Sequence, residues 1–521
     1  MGHLQGSSNR RNEAAREALS SRYPENRSYP VACQQNEKIT LSTRKALALS
    51  FLDRYSGLIL HTASSMVVAR LLSPAEIGVY SITMVLLGFV ATFRDMGAGQ
   101  YLVQQKELTE ERIRATWSVQ LGLGLALGLV VLIAALPIAA FYNEPRMREI
   151  MAVLALNFAV TPFLAFPYAW LSRDMRFGTI ATVRFIGSLA HAGCAIGLAW
   201  AGQGPISLAW ANLLTTVAGI LAIWLLAPPR WPWRPTLKGI SEVVSFGGKL
   251  TLTSLLNTFA GGAPELILGK VQSMVEAGLY SRAIGLVTMF HRLVLDAVNA
   301  VALPYFSKQS RESKDLGASF LLAMELVTGL GWAFFTGVGI LAYQAIWILY
   351  GDQWGEAVEP ARWLALSYAI SIPAGVCYSP LIARGAATEI LKVTCKCTVL
   401  VLVVTVFGAT ANLVTLSQFL AVTSFVSALL WLRLTRSFIP FTGVALGRVW
   451  FKSLMLAVGA GLVPLLVVLA TGWRSHDIFL TVVISVPGGI LGFLIAAWLV
   501  KHQVWMELLK MLKTKKLWIV R

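Results

Sequence analysis

An all-α protein threaded many times through a membrane is the fold this sequence predicts, and three observations predict it. Hydrophobic residues make up 56% of the 521 and charged residues only 13%, far from the balance of soluble domains. Apolar runs of about 20 residues, long enough to cross a bilayer as helix, recur about fourteen times. One pattern occurs twice, 200 residues apart: Arg70, Ser73, Glu76, Gly78, Tyr80, Ser81, and then Lys270, Ser273, Glu276, Gly278, Tyr280, Ser281.

Residues 1–41 are polar, with Arg10-Arg11, Pro24 and Pro30 and no apolar core. They read as a disordered cytoplasmic tail, and without a signal-peptide core the first span must direct insertion. The runs 46–70, 75–93, 115–137, 148–171, 178–200 and 206–226 then form a first group of six within 42–228. A second six, 243–268, 276–303, 317–343, 357–382, 389–410 and 412–432, occupies 240–437. Two more, 449–471 and 478–500, lie within 447–500, and a basic tail, 501–521, closes the chain. Helix is the default in every run because lipid cannot satisfy open backbone groups; a β-barrel would show short alternating segments instead. The repeated pattern follows the first run of each six. A looser echo sets Ala155-Leu156-Asn157-Phe158, Pro162 and Arg173 against Ala365-Leu366-Ser367-Tyr368, Pro373 and Arg384. The expectation is two pseudo-symmetric six-helix lobes plus two C-terminal helices, the plan of secondary transporters, whose substrate site lies between the repeats.

The net charge of +18 does not point to nucleic acid, which would want basic residues gathered on one soluble face. With the first residues inside the cell, the outer loops hold only Arg70, Arg146, Arg148, Lys270, Arg362 and Arg474, and the spans hold Arg54, Arg184, Lys249, Arg282 and Arg292. The remaining Lys and Arg fall in cytoplasmic segments, so the positive-inside bias puts both termini in the cytoplasm. Lys510, Lys513, Lys515 and Lys516 beside Trp505 and Trp518 fit an amphipathic helix on the anionic inner leaflet and equally a plain topology anchor. Cys33, Cys194, Cys377, Cys395 and Cys397 make no disulfide or metal pattern and read as packing residues. Gly247-Gly248-Lys249-Leu250 fails the phosphate-loop pattern, so energy would come from an ion or substrate gradient. The longest outer loop, about Gln344 to Glu356, leaves no room for a catalytic domain, so no enzyme, metal site or cofactor is expected.

Ionisable residues inside spans are costly and therefore candidates for a site facing the bundle interior. Arg282, Arg292 and Asp296 fall within about 80° of one another at helical spacing and share a face, with His291 nearly opposite Arg282; Arg292 and Asp296 are also spaced to pair with each other. Arg54, His61 and Ser65 line one stripe of the first span, and Arg184, Ser188 and His191 line another on the fifth. Arg54 and Lys249 lie near the inner surface, where snorkelling competes with a ligand role. The cations outnumber the acids, which suits an anionic ligand such as a diphosphate, because Arg meets phosphate oxygens with paired hydrogen bonds. Asp296, Glu265 and Glu325 are the acids that could take H+ or Na+. Glu265 follows the helix-breaking Gly261-Gly262-Ala263-Pro264, and Glu325 stands alone in its span.

Four stretches carry a resemblance: Ala69-Arg70-Leu71-Leu72-Ser73-Pro74-Ala75-Glu76-Ile77-Gly78, Asp95-Met96-Gly97 with Leu102-Val103-Gln104, Leu171-Ser172-Arg173-Asp174-Met175-Arg176-Phe177, and Gly278-Leu279-Tyr280-Ser281-Arg282-Ala283. Over about 42–440 the chain resembles bacterial oligosaccharide flippases of the polysaccharide-transport branch of the multidrug/oligosaccharidyl-lipid/polysaccharide exporter superfamily. The resemblance implies alternating access that carries a polyprenyl-diphosphate-linked oligosaccharide across the bacterial inner membrane for capsule, exopolysaccharide or O-antigen synthesis. Membrane lipids, H+ or Na+, and the polysaccharide polymerase and export machinery are the implied partners. It also implies a diphosphate held by Arg282, Arg292, Arg184 and His61, with His191, Lys249 and Arg54 beside them. Pro162, Pro167, Pro373 and Pro380 are candidate bends. Lipid II flippases carry an Arg-Asp pair where this chain has Ser64 and Ser65, which argues against lipid II. The competing readings are an ion-coupled multidrug exporter, a membrane glycan polymerase or ligase, and a non-transporting scaffold.

Overall fold

The computed structural model describes residues 43–94, 98–104, 109–228, 235–236, 240–312, 315–473 and 477–510. Every regular element in them is helical. The first half contains α1 (Thr43–Leu71), α2 (Pro74–Arg94), α3 (Ala98–Gln104), α4 (Glu110–Tyr142), α5 (Arg146–Val160), α6 (Pro162–Arg173), α7 (Phe177–Trp200) and α8 (Ile206–Leu226). The second contains α9 (Ile240–Val271), α10 (Met274–Phe290), a π turn (His291–Leu295), α11 (Asp296–Arg311), α12 (Leu316–Ile340), α13 (Ala342–Tyr350), a 3-10 turn (Asp352–Ala357), α14 (Val358–Ala383), α15 (Ala387–Ala409) and α16 (Leu413–Phe438). α17 (Gly443–Thr471) and α18 (Ile478–Leu499) pack on each other and complete the bundle.

Among the described residues ten helical segments are long and apolar enough to cross a membrane, or eleven when α5 and α6 count as one bent span. The chain is a multi-pass membrane protein. Its exterior agrees: Leu125, Leu129, Val130, Leu132, Ile133 and Leu136 are more than half-exposed or nearly so along α4, a face that water would not tolerate as a continuous patch but lipid does.

The same order of neighbours recurs in the two halves. α1 packs on α7, α7 on α8 and α8 on α5; correspondingly α9 packs on α15, α15 on α16 and α16 on α14. The repeated Ser-x-x-Glu has a local cause. Ser73 Oγ accepts a bond from the Glu76 N–H at 3.4 Å while Glu76 Oε2 accepts from the Ser73 N–H at 2.8 Å, and Ser273 Oγ accepts from the Glu276 N–H at 3.2 Å. A capping Ser with Glu three residues on satisfies donors that a helix start leaves open, so the motif starts α2 and α10 sharply after a two-residue turn.

Three segments depart from the sequence expectation. The run 148–171 is broken, and α5 and α6 meet at 43°; Pro162 has no N–H to continue the helix and its ring crowds the preceding turn. Pro373 and Pro380, by contrast, sit inside an unbroken α14. Pro373 leaves the Ala369 carbonyl without its i+4 donor, and the Trp332 indole of α12 fills that place at 2.9 Å, as neighbouring helices do for prolines in membranes. The expected loop Gln344–Glu356 is instead α13 and a 3-10 turn folded back on the bundle, with Gln344, Tyr350 and Trp354 buried.

Candidate functional site

The two copies of the motif face each other. α2 and α10 cross where Gly78 and Gly278 meet: a methyl on Gly78 would collide with the Met274 carbonyl, and one on Gly278 with the Pro74 carbonyl. Only glycine permits two backbones this close. Around the crossing lies the largest apolar cluster, including Val68, Ala69, Leu72, Ile77, Leu279, Tyr280 and Leu286 from both halves. The Arg/Lys position closes the same end reciprocally. Arg70 Nη2 donates to the Ile348 carbonyl at 2.8 Å, and Lys270 Nζ donates to the Phe141 carbonyl and lies over its ring, so each cation reaches from one half into the other. Gln353 Nε2 and Trp354 Nε1 add bonds to the Ala69 carbonyl at 2.6 and 2.9 Å. Tyr142 donates to the Leu266 carbonyl at 3.2 Å.

One seam between the halves is closed along its length. α2 lies on α9, with Val85 filling the space above Gly262 and Ile82 that above Gly269. Phe89 and Phe259 are 5.4 Å apart by ring centroid, and the Thr92 and Thr258 hydroxyls 3.4 Å apart. The pair related to it by the repeat, α1 and α10, shows no such extended packing among the described residues. It is bridged at Arg282, whose Nη1 donates to Ser65 Oγ of α1 at 3.0 Å.

This second seam holds most of the sequence-selected cations. The α1 and α7 stripes meet: Ser188 lies against Gly57, and the His61 and His191 rings are 6.0 Å apart. Arg282 and Arg292 both act electrostatically on His61, which joins the α10 set to the α1–α7 set. Arg184 is exposed one turn before Ser188, and Arg292 and Asp296 are exposed as well. The π turn changes the expected pattern here. It carries one extra residue per turn, so His291, predicted to point away, lies 4.0 Å from Asp296 at the i,i+5 spacing that the turn creates. The side chains of Arg54 and Lys249 lie outside the described residues.

Arg282 is held more tightly than the sequence suggested. Its guanidinium stacks 5.3 Å from the Tyr350 ring centroid and 5.5 Å from that of Trp354, hydrogen-bonds Tyr350, and keeps a buried Nε with no acceptor. Tyr350 and Trp354 come from the segment the sequence reading took for a loop. Its aromatic and amide content, Tyr350, Gln353 and Trp354, was the available signal.

Glu325 is not alone. It forms a separate buried cluster in which Lys452 Nζ of α17 is 3.4 Å from its Oε1 and the Gln503 N–H donates at 3.1 Å. The His502 Nε2 is 4.0 Å from the same oxygen and 3.5 Å from Ser453 Oγ. The His502 ring fills the space over Gly329, where a methyl would strike it. Lys452 and His502 were missed because each is remote in sequence from Glu325. Among the described residues no group of His, Cys, Asp and Glu is placed to hold a metal ion.

A multi-pass helical bundle with two related helix crossings and a cation-lined seam defines a class, the fold of membrane flippases and exporters. It is similar to the solved lipid II flippase MurJ in an inward closed conformation, with a TM-score of 0.70 over 87% of this chain and 97% of that one at 13% identity. The chain belongs to the family described as polysaccharide biosynthesis protein, whose model matches residues 67–359, within the polysaccharide-transport branch of the exporter superfamily. Among curated relatives it is 25% identical to the succinoglycan biosynthesis transport protein ExoT of Rhizobium meliloti (strain 1021), over 59% of this chain and 62% of that protein. The chain thus matches less than two thirds of that relative's length. It is 22% identical to the teichuronic acid biosynthesis protein TuaB of Bacillus subtilis (strain 168), over 78% of this chain and 85% of that protein.

Proposed function

We propose that this protein is a flippase that moves a polyprenyl-diphosphate-linked oligosaccharide across the membrane for surface polysaccharide assembly. In this reading fourteen spans form two six-helix lobes, 42–228 and 240–437, followed by α17 and α18, with both termini in the cytoplasm of a bacterial cell. The Gly78/Gly278 crossing then closes the outer face. The observation that carries the reading is the α1–α10 seam, where His61, Arg292 and Arg282 gather with His191 nearby. Exposed charges facing lipid would cost several kcal/mol each, so that face looks onto a polar space instead. A seam lined by cations admits a diphosphate from the side while the prenyl chain stays in the bilayer, and the guanidinium of Arg292 offers it paired donors. A cationic drug would meet like charge here, which disfavours the exporter reading. The names of the similar proteins, succinoglycan transport, teichuronic acid synthesis and lipid II flipping, support a lipid-linked glycan as the substrate class. Ser64 and Ser65, in place of an Arg-Asp pair, favour a repeat unit other than lipid II.

The test is flipping of a fluorescent undecaprenyl-diphosphate oligosaccharide by purified protein in liposomes. Wild type transports, and Arg292→Ala reduces the rate at least tenfold, the scale of one lost charge-assisted hydrogen bond, with folding unchanged by circular dichroism. Full transport by Arg292→Ala removes the seam as the diphosphate path. No transport by wild type, under proton and sodium gradients alike, removes the flippase reading.

A further inference from the structure

Two carboxylates are buried among the described residues, Glu265 of α9 and Glu325 of α12. Glu325 leads to a part of the chain that the path just described does not use. Residues 503–510 form a helix directly after α18, and the joint between the two is built from backbone bonds. Lys501 takes a left-handed φ of 48°. Its N–H donates to the Trp498 carbonyl at 3.2 Å and the His502 N–H to the Ala497 carbonyl at 3.0 Å, the paired bonds of a Schellman stop. His502 then opens the next helix. Its Nδ1 accepts from the Val504 N–H at 3.2 Å, and its carbonyl accepts from the Trp505 and Met506 N–H groups at 3.0 and 3.2 Å, so donors that a helix start leaves open are satisfied. The same turn is locked to the bundle. The Gln503 N–H shares Glu325 of α12 with Lys452 of α17, and Ser453, which the His502 ring meets, bonds Thr328 of α12 at 2.8 Å.

Beyond that turn the helix is amphipathic. At helical spacing Val504, Trp505, Met506, Leu508 and Leu509 cover an arc of about 200°, and Gln503, Glu507 and Lys510 one of about 60°. Val504 is buried, but Met506 and Leu508 are 43% and 37% exposed. Cations surround them. Lys501 and Lys510 are exposed, as are Arg448, one turn before Lys452, and Arg433 and Arg436 near the end of α16. Residues 511–521 add Lys513, Lys515, Lys516 and Arg521 and no acid. The helix starts four residues after α18 ends at Leu499, the level at which a span leaves the bilayer. Exposed apolar side chains beside excess cations suit the boundary between acyl chains and anionic headgroups there.

We propose that helix 503–510 is a membrane-surface element, locked to the second half by its first turn, whose partner is the anionic headgroup layer at that end of the bundle. Because the lock includes Glu325 of α12, lipid charge acts on the second half itself and not on a loose tail. The inference uses the proposed orientation only to name the cytoplasmic leaflet; the contact needs no glycan to be carried.

Hydrogen exchange of the full-length protein in lipid nanodiscs tests it. Amides of 503–510 are followed in phosphatidylcholine alone and in equal parts of phosphatidylcholine and phosphatidylglycerol. The expected result is exchange roughly fivefold or more slower with the anionic lipid, the scale of one basic residue near such a surface, and a smaller difference at high salt. Changing Lys501, Lys510, Lys513, Lys515 and Lys516 together to Gln removes the difference. Gly329→Ala, whose methyl strikes the His502 ring, speeds exchange of the segment in both lipids. Equal wild-type exchange in the two lipids overturns the proposal, and so does slowing that survives loss of the lysines. Slowing by inorganic phosphate in phosphatidylcholine alone would show a soluble-anion site and overturn it too. A Gly329→Ala segment as protected as wild type would refute the lock. Failure of glycan flipping with the lipid dependence intact would refute the substrate reading and leave this one standing.

Discussion

Gly78→Ala offers the most direct test of how the two halves meet. The added methyl enters the Met274 carbonyl across the crossing. That neighbour is main chain and cannot rotate aside, so α2 and α10 must part. Overpacking of this kind costs about 1–3 kcal/mol, and the cost falls on the closed arrangement because separated helices have room. Taking about 2 kcal/mol, closure weakens roughly 30-fold. Pulsed electron resonance reads the result from spin labels at Gln203 and Ala411, exposed turn positions at the same end of opposite halves, in a background with the five cysteines replaced. The expected outcome is a new population at longer distance in Gly78→Ala, with Gly278→Ala giving the same change. A control at Gly122, where a methyl meets nothing within 4 Å, leaves the distribution as in wild type. An unchanged distribution in folded Gly78→Ala would mean that the crossing yields without opening, and the role given to the repeated motif would be wrong.

Three further outcomes follow from other clusters. Gly329→Ala strikes the His502 ring and should release the segment after α18, seen as faster proteolysis after residue 500 with the bundle still folded. Burial pushes the His502 imidazole down to about 4 from its ordinary 6.5, so the unfolded segment binds the proton more readily. The segment's attachment is complete above pH 6.5 and weakens as pH falls toward 4, which hydrogen exchange of 501–510 would follow. At the turn between α4 and α5, the Arg146 guanidinium bonds Glu144 at 2.7 and 2.8 Å and holds its carboxyl below the ordinary value. That contribution is present at neutral pH and lost as pH falls through the lowered value, so Arg146→Gln lowers the melting temperature slightly at pH 7 and by less at pH 3. An Arg146→Gln effect of the same size at both pH values would show packing, not charge, at work.

Much of the molecule could be read before folding because membranes enforce local rules. The apolar runs became helices since lipid leaves the backbone no other partner, and Ser73 with Glu76 started α2 through bonds spanning three residues. The stripes Arg54–His61–Ser65 and Arg184–Ser188–His191 were legible from helical spacing, and the two helices do meet at His61 and His191. The π turn at His291–Leu295 was not legible, because an extra residue per turn leaves no compositional mark and shifts every later side chain. Nor was the return of 342–357 into the bundle, since an apolar, aromatic segment reads alike as loop or as core.

The sequence by itself determined the helical class and the motif that begins α2 and α10, both of which rest on interactions within a few residues. Only the tertiary structure decided that the two motif copies press against each other. It also decided that Arg282 is clasped by Tyr350 and Trp354 and that Glu325 meets Lys452 and His502. Those pairings join residues dozens to hundreds of positions apart, and their geometry is set by how whole helices pack, which no local pattern encodes.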